Sequence, residues 1–356
     1  MLTSSSIAFL KRLLDAPGPS GYEGPAARTW RAEAETFADH VTCDVAGNSF
    51  AEVNPKGSPT ILLDGHIDEI GLIVQYIDDD GYLYVDSIGG WDPEVLVGQR
   101  LRFLTPKGDV TGVVGKKPIH LIKRAEREKA SKLTDLWVDI GAASRAEAEA
   151  RVGVGDAAVI DAPALDFPND RVVSRAIDDR IGAFTVLEAL RRYKKKPGKA
   201  RVVAAATTQE EIGSQGGGAL VAANRVNPQM AIAVDVTFAT DHPGLEKKEL
   251  GDHKMGSGPV LVRGSLISPV VFDLLRRAAD AGAIPHTLHA EGRATFTNAD
   301  AIHLAREGVA TALVSIPNRY MHSPVEMVSL VDVHHTATLI HEACRGVDDR
   351  TDFTAR

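Results

Sequence analysis

Residues 200–217 read "ARVVAAATTQEEIGSQGG", a continuous apolar run that ends in a glycine-rich turn. Apolar runs of this length without alternation are typical of strands that are buried on both faces of a parallel sheet. Two glutamates, Glu210 and Glu211, follow the run directly. Because neighbouring carboxylates repel one another, burying them there requires a cation or several hydrogen bonds. The alternative is a solvent-exposed helix start, where carboxylates are favourable.

Three further apolar runs have the same character: "PTILLDG" from residue 59, "QMAIAVDV" from residue 229 and "VATALVSIP" from residue 309. Residues 178–196 and 268–282 lie between these runs and space their apolar side chains as helices do. Alternating strands and amphipathic helices predict the α/β fold class, with a mostly parallel, doubly wound sheet that is covered by helices on both faces.

The stretch between the first two runs has a different pattern. Residues 71–90, "GLIVQYIDDDGYLYVDSIGG", alternate around an Asp-Gly turn, and residues 98–115, "GQRLRFLTPKGDVTGVVG", alternate around Pro-Lys-Gly. Each pattern is typical of a β-hairpin. We therefore predict a small β-barrel domain at residues 69–162, inserted into an α/β domain that residues 1–68 and 163–356 form.

Composition narrows the classes of function. The 356-residue chain has 48 acidic and 40 basic residues, and the net charge of −8 argues against nucleic acid as a general partner. No apolar run is long enough to span a membrane, and Lys11 and Arg12 interrupt the apolar N-terminal stretch, unlike the core of a signal peptide. Cys43 and Cys344 could form at most one disulfide, so we expect a cytoplasmic protein.

Chemically reactive side chains recur where the predicted strands end. They are His66 and Asp68 after the first strand, Glu210 and Glu211 after the second, Asp235 at the end of the third, His322 beyond the fourth, and Asp178 with Asp179 at the start of the helix between the first two. A single His or Asp at a strand end is more often structural. Because the carboxyl ends of parallel strands meet at one edge of a sheet, this whole set can converge on one pocket.

The residue types in this set favour a metal site. Imidazoles and carboxylates without a thiolate suit zinc, cobalt or manganese. If two ions are to lie about 3.5–4 Å apart, one carboxylate must bridge them, and Asp178 fits that role. With Glu211 as a ligand, Glu210 can accept a proton from water as a general base. Asp68, two residues beyond His66, can orient the imidazole of that residue.

Five motifs occur in order along the chain: "GHIDEIG", "RAIDDRIG", "TTQEEIGSQGG", "AVDVTFATDHPG" and "NRYMHSP". With them the chain resembles the tetrahedral (TET) aminopeptidases, a metallopeptidase family that includes glutamyl aminopeptidases of lactic bacteria and members labelled cellulase or endoglucanase. The resemblance extends over nearly the whole chain, including "SIGGWDPEVLVGQR" in the inserted domain. It implies a zinc-exopeptidase-like fold and the removal of N-terminal residues from short peptides.

The resemblance also implies two divalent ions per subunit, zinc or cobalt, with manganese as a third candidate. One ion would be held by His66, Asp178 and Asp235, and the other by Asp178, Glu211 and His322. Glu210 would be the general base, Asp68 would support His66, and a cis peptide would join Asp178 to Asp179. The implied assembly is a hollow dodecamer, a tetrahedron built from dimers with its active sites facing the interior.

One motif departs from the family pattern. Where the family usually reads Thr-Asp-Ala-Asn, this chain has Thr297, Asn298, Ala299 and Asp300. The exchange of Asp and Asn is compatible with a hydrogen bond between the two side chains.

Two other activities compete with peptide hydrolysis. A dinuclear deacylase or carboxypeptidase of the same superfold is one, but such relatives usually carry an α/β dimerisation domain where this chain has hairpins. A glycoside hydrolase is the other, and it requires two carboxyls about 5–9.5 Å apart and an aromatic binding surface. Aromatic residues are only 5% of this chain, and glycoside hydrolysis gives His66 and His322 no function.

Overall fold

The computed structural model describes residues 1–124, 127–213 and 216–354, so Ser214 and Gln215 of the glycine-rich turn lie outside the described residues. The α-helices in these ranges are α1 Ser4–Asp15, α2 Gly24–Ala34, α3 Pro93–Leu96, α4 Arg145–Glu149, α5 Ile177–Lys195, α6 Gly217–Val226, α7 Lys247–Leu250, α8 Pro269–Ala281, α9 Ala299–Ile302 and α10 Leu330–Arg345. No helix in these ranges is long and apolar enough to cross a membrane.

The strands in the same ranges form one large sheet and one barrel. They are β1 His40–Cys43, β2 Ser49–Val53, β3 Thr60–His66, β4 Gly71–Ile77, β5 Leu83–Ile88, β6 Arg100–Leu104, β7 Val110–Lys116, β8 Leu136–Asp139, β9 Ala157–Ile160, β10 Leu165–Phe167, β11 Arg171–Ser174, β12 Arg201–Thr207, β13 Met230–Phe238, β14 Val260–Gly264, β15 Thr287–Glu291, β16 Ala310–Arg319 and β17 Glu326–Ser329.

Four neighbouring parallel strands form the centre of the large sheet, in the order β12, β3, β13 and β16. They are the four apolar runs of the sequence, and nearly all their residues are buried. Antiparallel strands extend the sheet on both sides. On one side, β2 and then β1 follow β12. On the other side, β17, β11 and β10 follow β16 in that order. The predicted α/β fold class, with its parallel central strands, is confirmed.

Consecutive residues of β3 identify the two faces of this sheet. Gly65 packs against α5, because a Cβ atom at this glycine would lie 2.5 Å from the backbone nitrogen of Ala183. The neighbouring Asp64 accepts a hydrogen bond from Asn298, which precedes α9, at 2.7 Å. Since successive side chains of a strand point to opposite faces, helices cover the sheet on both sides. The close packing at Gly65 also brings the beginning of α5 to the carboxyl end of β3.

The six strands β4 to β9 close into an antiparallel barrel in the order β4-β5-β8-β7-β6-β9. Both predicted hairpins are present, as β4 with β5 and as β6 with β7. Alternate apolar side chains, such as Leu72, Val74, Leu101 and Phe103, are buried in a separate core inside it. The inserted barrel is therefore confirmed, while the division at residues 69 and 162 stays a prediction.

Candidate metal centre

Six of the seven predicted site residues line one cavity at the carboxyl edge of the parallel strands, with a volume of about 570 Å³. His66 ends β3, Asp235 lies three residues before the end of β13, and Glu210 and Glu211 follow β12. Asp178 is at the beginning of α5, and His322 follows β16. The seventh, Asp68, is completely buried behind this cavity. The fold thus brings together residues that are up to 256 positions apart in the chain.

The Asp178 carboxylate lies between two imidazoles. Its Oδ1 is 3.2 Å from Nε2 of His66, and its Oδ2 is 3.5 Å from Nε2 of His322. The same Nε2 of His322 is 3.3 Å from Oε2 of Glu211. One ligand atom from each of His66, Asp178 and Glu211 lies within 4.8 Å of the other two. Asp178 therefore has one oxygen available on each side of the site.

Asp68 organises both the first imidazole and the glutamate turn. Its Oδ1 lies 3.4 Å from Nδ1 of His66, on the side of the ring that faces away from Asp178. The carboxylate also accepts hydrogen bonds from the backbone N–H groups of Glu210 at 3.2 Å and Glu211 at 3.1 Å. The Ser20 hydroxyl donates a further hydrogen bond at 2.5 Å. A single buried carboxylate thus fixes the position of three other site residues.

A second group of potential ligands surrounds His66. One ligand atom from each of His66, Asp179 and Asp235 lies within 4.8 Å of the other two. Asp179 belongs to the set of reactive side chains predicted to converge here, although it was not among the assigned ligands. Its carboxylate accepts hydrogen bonds from the backbone N–H groups of His66 at 3.2 Å and Gly182 at 3.1 Å. The peptide bond between Asp178 and Asp179 is cis, as the resemblance implies.

Glu326 is a site residue that sequence reasoning missed. It begins β17 and is buried, and its two oxygens accept hydrogen bonds from the backbone N–H groups of Asp178 at 3.0 Å and His322 at 2.8 Å. One side chain therefore positions the backbone of two predicted ligands. The only signal for it in the sequence is an acidic residue four positions after His322.

The barrel also reaches the site. Gly90 follows β5, and its carbonyl oxygen lies 2.9 Å from Nδ1 of His322. Hydrogen bonding at Nδ1 leaves Nε2 directed at Asp178 and Glu211, which is how proteins commonly orient a ligating imidazole.

The exchanged pair Asn298 and Asp300 does not form the hydrogen bond that we considered. The Asn298 amide donates to Asp64 at 2.7 Å and to Thr207 at 2.9 Å. Asp300 instead accepts from the backbone N–H and the hydroxyl of Thr295. The two side chains bind different partners, so the expected mutual hydrogen bond is absent.

Burial and mutual repulsion raise the pKa values of Glu210, Glu211 and Asp235, whereas hydrogen bonds from His322 and His66 outweigh burial and lower the pKa of Asp178. Burial raises the pKa of Glu210 to about 8. Burial, followed by the negative charge of Asp178, raises the pKa values of Glu211 and Asp235. Within the described ranges, no Lys or Arg side chain forms an ion pair with any of these four carboxylates.

The pKa values of the two imidazoles are raised as well, because the neighbouring carboxylates favour the charged form of the ring. Hydrogen bonding to Asp178 and Glu211 raises the pKa of His322 to about 11. Burial alone would lower the pKa of His66, but the carboxylates of Asp178 and Asp68 outweigh burial and raise it.

This donor set fits divalent cations. Several buried carboxylates without a cationic side chain are unfavourable unless a positive charge neutralises them. Imidazole nitrogens and carboxylate oxygens are the ligands that zinc, cobalt and manganese accept, and a carboxylate with an oxygen on each side suits a pair of ions. The residues present thus match the requirement of a metal centre.

Comparison with known proteins also identifies aminopeptidases as the relatives of this chain. The family model described as M42 glutamyl aminopeptidase matches residues 47–339. The lysyl aminopeptidase of Pyrococcus furiosus is 38% identical over 340 residues, which cover 93% of this chain and 94% of that protein.

Solved structures agree with these matches. The TET aminopeptidase of a marine sediment archaeon of the Thaumarchaeota superposes with a TM-score of 0.92 at 36% identity, covering 98% of both chains. A TET peptidase of Pyrococcus horikoshii, which assembles into a tetrahedron or a large octahedral shell, superposes with a TM-score of 0.84 at 32% identity, covering 96% of this chain and all of the other. The chain therefore belongs to the M42 glutamyl aminopeptidase family of peptidases.

Proposed function

We propose that this protein is a dinuclear metalloaminopeptidase that removes N-terminal residues from short peptides. The observation that carries the proposal is the position of Asp178, whose two oxygens face the imidazoles of His66 and His322 separately. A single bridging carboxylate between two sets of ligands is the arrangement that two-metal hydrolases require. Family membership supports peptide hydrolysis as the reaction.

We assign one ion to His66, Asp178 and Asp235, and the other to Asp178, Glu211 and His322. Zinc or cobalt suits both sets, and manganese is the third candidate. Asp179 lies close enough to His66 and Asp235 to support the first set through the backbone of His66. The chemistry that divalent cations supply at such a site is Lewis acidity towards the scissile carbonyl oxygen and towards the attacking water.

Glu210 is assigned as the general base. Its Oε2 lies 3.9 Å from Nε2 of His66, and it lines the cavity without an ion-pair partner among the Lys and Arg residues of the described chain. It takes a proton from the attacking water and delivers that proton to the leaving amine, so it is regenerated in each cycle.

Asp68 is assigned a positioning role in the same reaction. Because it contacts Nδ1 of His66 and holds the backbone of Glu210 and Glu211, it couples the orientation of a ligand to the position of the base.

The competing activities receive less support from the geometry. A glycoside hydrolase needs two carboxyls and no imidazoles, and it leaves the contacts of Asp178 with both histidines without a function. A deacylase or carboxypeptidase could use the same ligands, but the aminopeptidase relatives match this chain over nearly its full length, which includes the inserted barrel.

We further propose that the chain forms a homo-oligomer, a dodecamer built from dimers, in the cytoplasm. The large assemblies of the Pyrococcus horikoshii relative support the homo-oligomer. The free cysteines Cys43 and Cys344 support the cytoplasmic location, because no disulfide joins them.

Release of p-nitroaniline from a panel of aminoacyl p-nitroanilides tests the proposed activity. The protein is stripped of metal, zinc or cobalt is added back, and Glu210→Gln is assayed in parallel. Metal-dependent release by the wild type that Glu210→Gln lacks is the expected result. No release from any substrate with a free amine, with either metal, would reject the aminopeptidase assignment.

A further inference from the structure

The cavity at the metal centre continues away from the ligands into a region that we name the side pocket, defined by Phe238, Glu249, Val262, His289, Glu291 and Met321. Strand pairing joins its parts, since Val262 of β14 lies opposite His289 of β15. Nε2 of His253 lies 3.4 Å from Nδ1 of His289. A substrate whose carbonyl group lies at the metal centre can direct its first side chain into this pocket.

Part of the side pocket is apolar. Val262 and Leu313 are 3% and 4% exposed and form an apolar wall of the cavity, while Phe238 at the end of β13 is 45% exposed. Met321, which directly precedes His322 in the chain, lines the same cavity. Such a wall favours a side chain with a hydrocarbon stem.

The charged part of the side pocket is acidic. Glu291 places Oε2 3.8 Å from Nε2 of His289 and accepts a hydrogen bond from the backbone N–H of Arg293 at 3.2 Å. Glu249 is exposed, and it has no ion pair with any residue in the described ranges. No Lys or Arg of the described chain lines the cavity.

These two carboxylates are additional to those of the metal centre. Two divalent cations would neutralise Asp178, Glu211 and Asp235, but Glu249 and Glu291 would keep their negative charge. Burial, and then the proximity of His289, lowers the pKa of His253, so that imidazole adds no positive charge at neutral pH. A partly enclosed cavity of one sign attracts the opposite charge and repels its own.

We propose that the side pocket selects peptides whose N-terminal residue has a basic side chain, lysine or arginine. The hydrocarbon stem packs on Val262 and Leu313, and the terminal cation lies between Glu249 and Glu291. An acidic side chain in the same place would meet two like charges, and a leucine side chain would gain only the apolar contact. This inference rests on the proposed aminopeptidase function and adds the chemical class of its substrates.

The test uses the metal-loaded full-length protein with the p-nitroanilides of lysine, arginine, leucine and glutamate. We expect kcat/KM for lysine and arginine to exceed that for leucine by about tenfold and that for glutamate by about a hundredfold. Glu291→Gln and Glu249→Gln should each lower the lysine-to-leucine ratio roughly threefold or more, and the double variant should lower it further. Glu307→Gln, which removes an equivalent charge from an exposed position before β16, should leave the ratio unchanged.

Binding provides a second readout. Calorimetry with the metal-loaded Glu210→Gln protein should show Lys-Ala binding about tenfold more tightly than Glu-Ala. A wild type that prefers glutamate or leucine, an unchanged ratio in the double variant, or equal binding of the two dipeptides would overturn the side-pocket inference while leaving an active aminopeptidase. Release from none of the four substrates would instead overturn the proposed function, and this inference with it.

Discussion

Asp68 and Glu69 are neighbours in the chain, but their carboxylates belong to two different buried sites. Glu69 accepts hydrogen bonds from the guanidinium groups of Arg175 and Arg180, the latter at 2.7 Å. Burial alone would raise the pKa of Glu69, but the two arginines lower it. Asp68 faces the metal centre, where Glu211 and Asp235 have raised pKa values.

The difference shows how the chain treats buried acids. Arg180 is completely buried and also donates to the backbone oxygens of Ile67 and Leu14, so the ion-pair cluster around Glu69 is satisfied by the chain itself. At the metal centre, no Lys or Arg of the described residues takes that place. We expect the first site to contribute to folding and the second to lower the stability of the metal-free protein, as functional sites often do.

The largest expected effect is on catalysis at the metal centre. Glu210→Gln should lower kcat by about 10²–10⁴-fold, because the amide cannot accept the proton of the attacking water. Metal content, measured by mass spectrometry of the digested protein, should stay at the wild-type level, since Glu210 is not an assigned ligand. Substantial remaining turnover would show that another group is the base.

The next effect is on stability at the ion-pair cluster. Glu69→Gln should lower the free energy of unfolding by about 3–5 kcal/mol, because it leaves Arg175 and Arg180 buried without a counter-charge. Urea unfolding of the metal-free protein measures this change, with Glu307→Gln as the surface control. If the free energy of unfolding falls no more than in the control, the ion pairs of Glu69 do not stabilise the fold.

The same variant should show a characteristic pH dependence. Because the pKa of Glu69 is lower in the folded than in the unfolded state, its stabilising contribution is present above the ordinary value of 4.5 and is lost as the pH falls towards the folded value. The difference in stability between wild type and Glu69→Gln should therefore be constant at neutral pH and shrink below about 4.5. A difference that grows on acidification would contradict the lowered pKa.

A smaller effect is expected for the residue next to Glu69. Asp68→Asn should weaken zinc binding by about 10–100-fold, because the amide is a poorer partner for His66 and for the backbone N–H groups of Glu210 and Glu211. Competition with a zinc chelator measures the affinity. Unchanged affinity would confine Asp68 to a role in the fold.

The smallest effect has the opposite sign to that of Glu69→Gln. Asp235→Asn should raise the stability of the metal-free protein by about 0.5–2 kcal/mol, because it removes a buried acid whose ionisation is unfavourable beside Asp178. The same change should reduce metal binding. Thermal unfolding with and without zinc measures both, and destabilisation of the metal-free variant would mean that Asp235 has a structural partner.

The order and type of the main elements were predictable from the sequence. Unbroken apolar runs identify strands buried on both faces, and alternation around Asp-Gly and Pro-Lys-Gly identifies the barrel hairpins, because these patterns depend on residues that are close in the chain. The carboxyl-end rule for parallel strands then placed His66, Glu211 and His322 at one edge of the sheet. The net charge argued against a nucleic-acid partner, the cysteine count indicated a cytoplasmic protein, and the ordered motifs indicated the peptidase family.

Contacts between distant segments were decided only by the tertiary structure. The support of Asp178 and His322 by Glu326, the approach of Gly90 from the barrel and the hydrogen bond of Asn298 to Asp64 all join residues from separate elements. The same holds for the acidic side pocket. Periodicity reports which face of an element is buried but not what lies against that face, since close packing depends on how all the elements fit together.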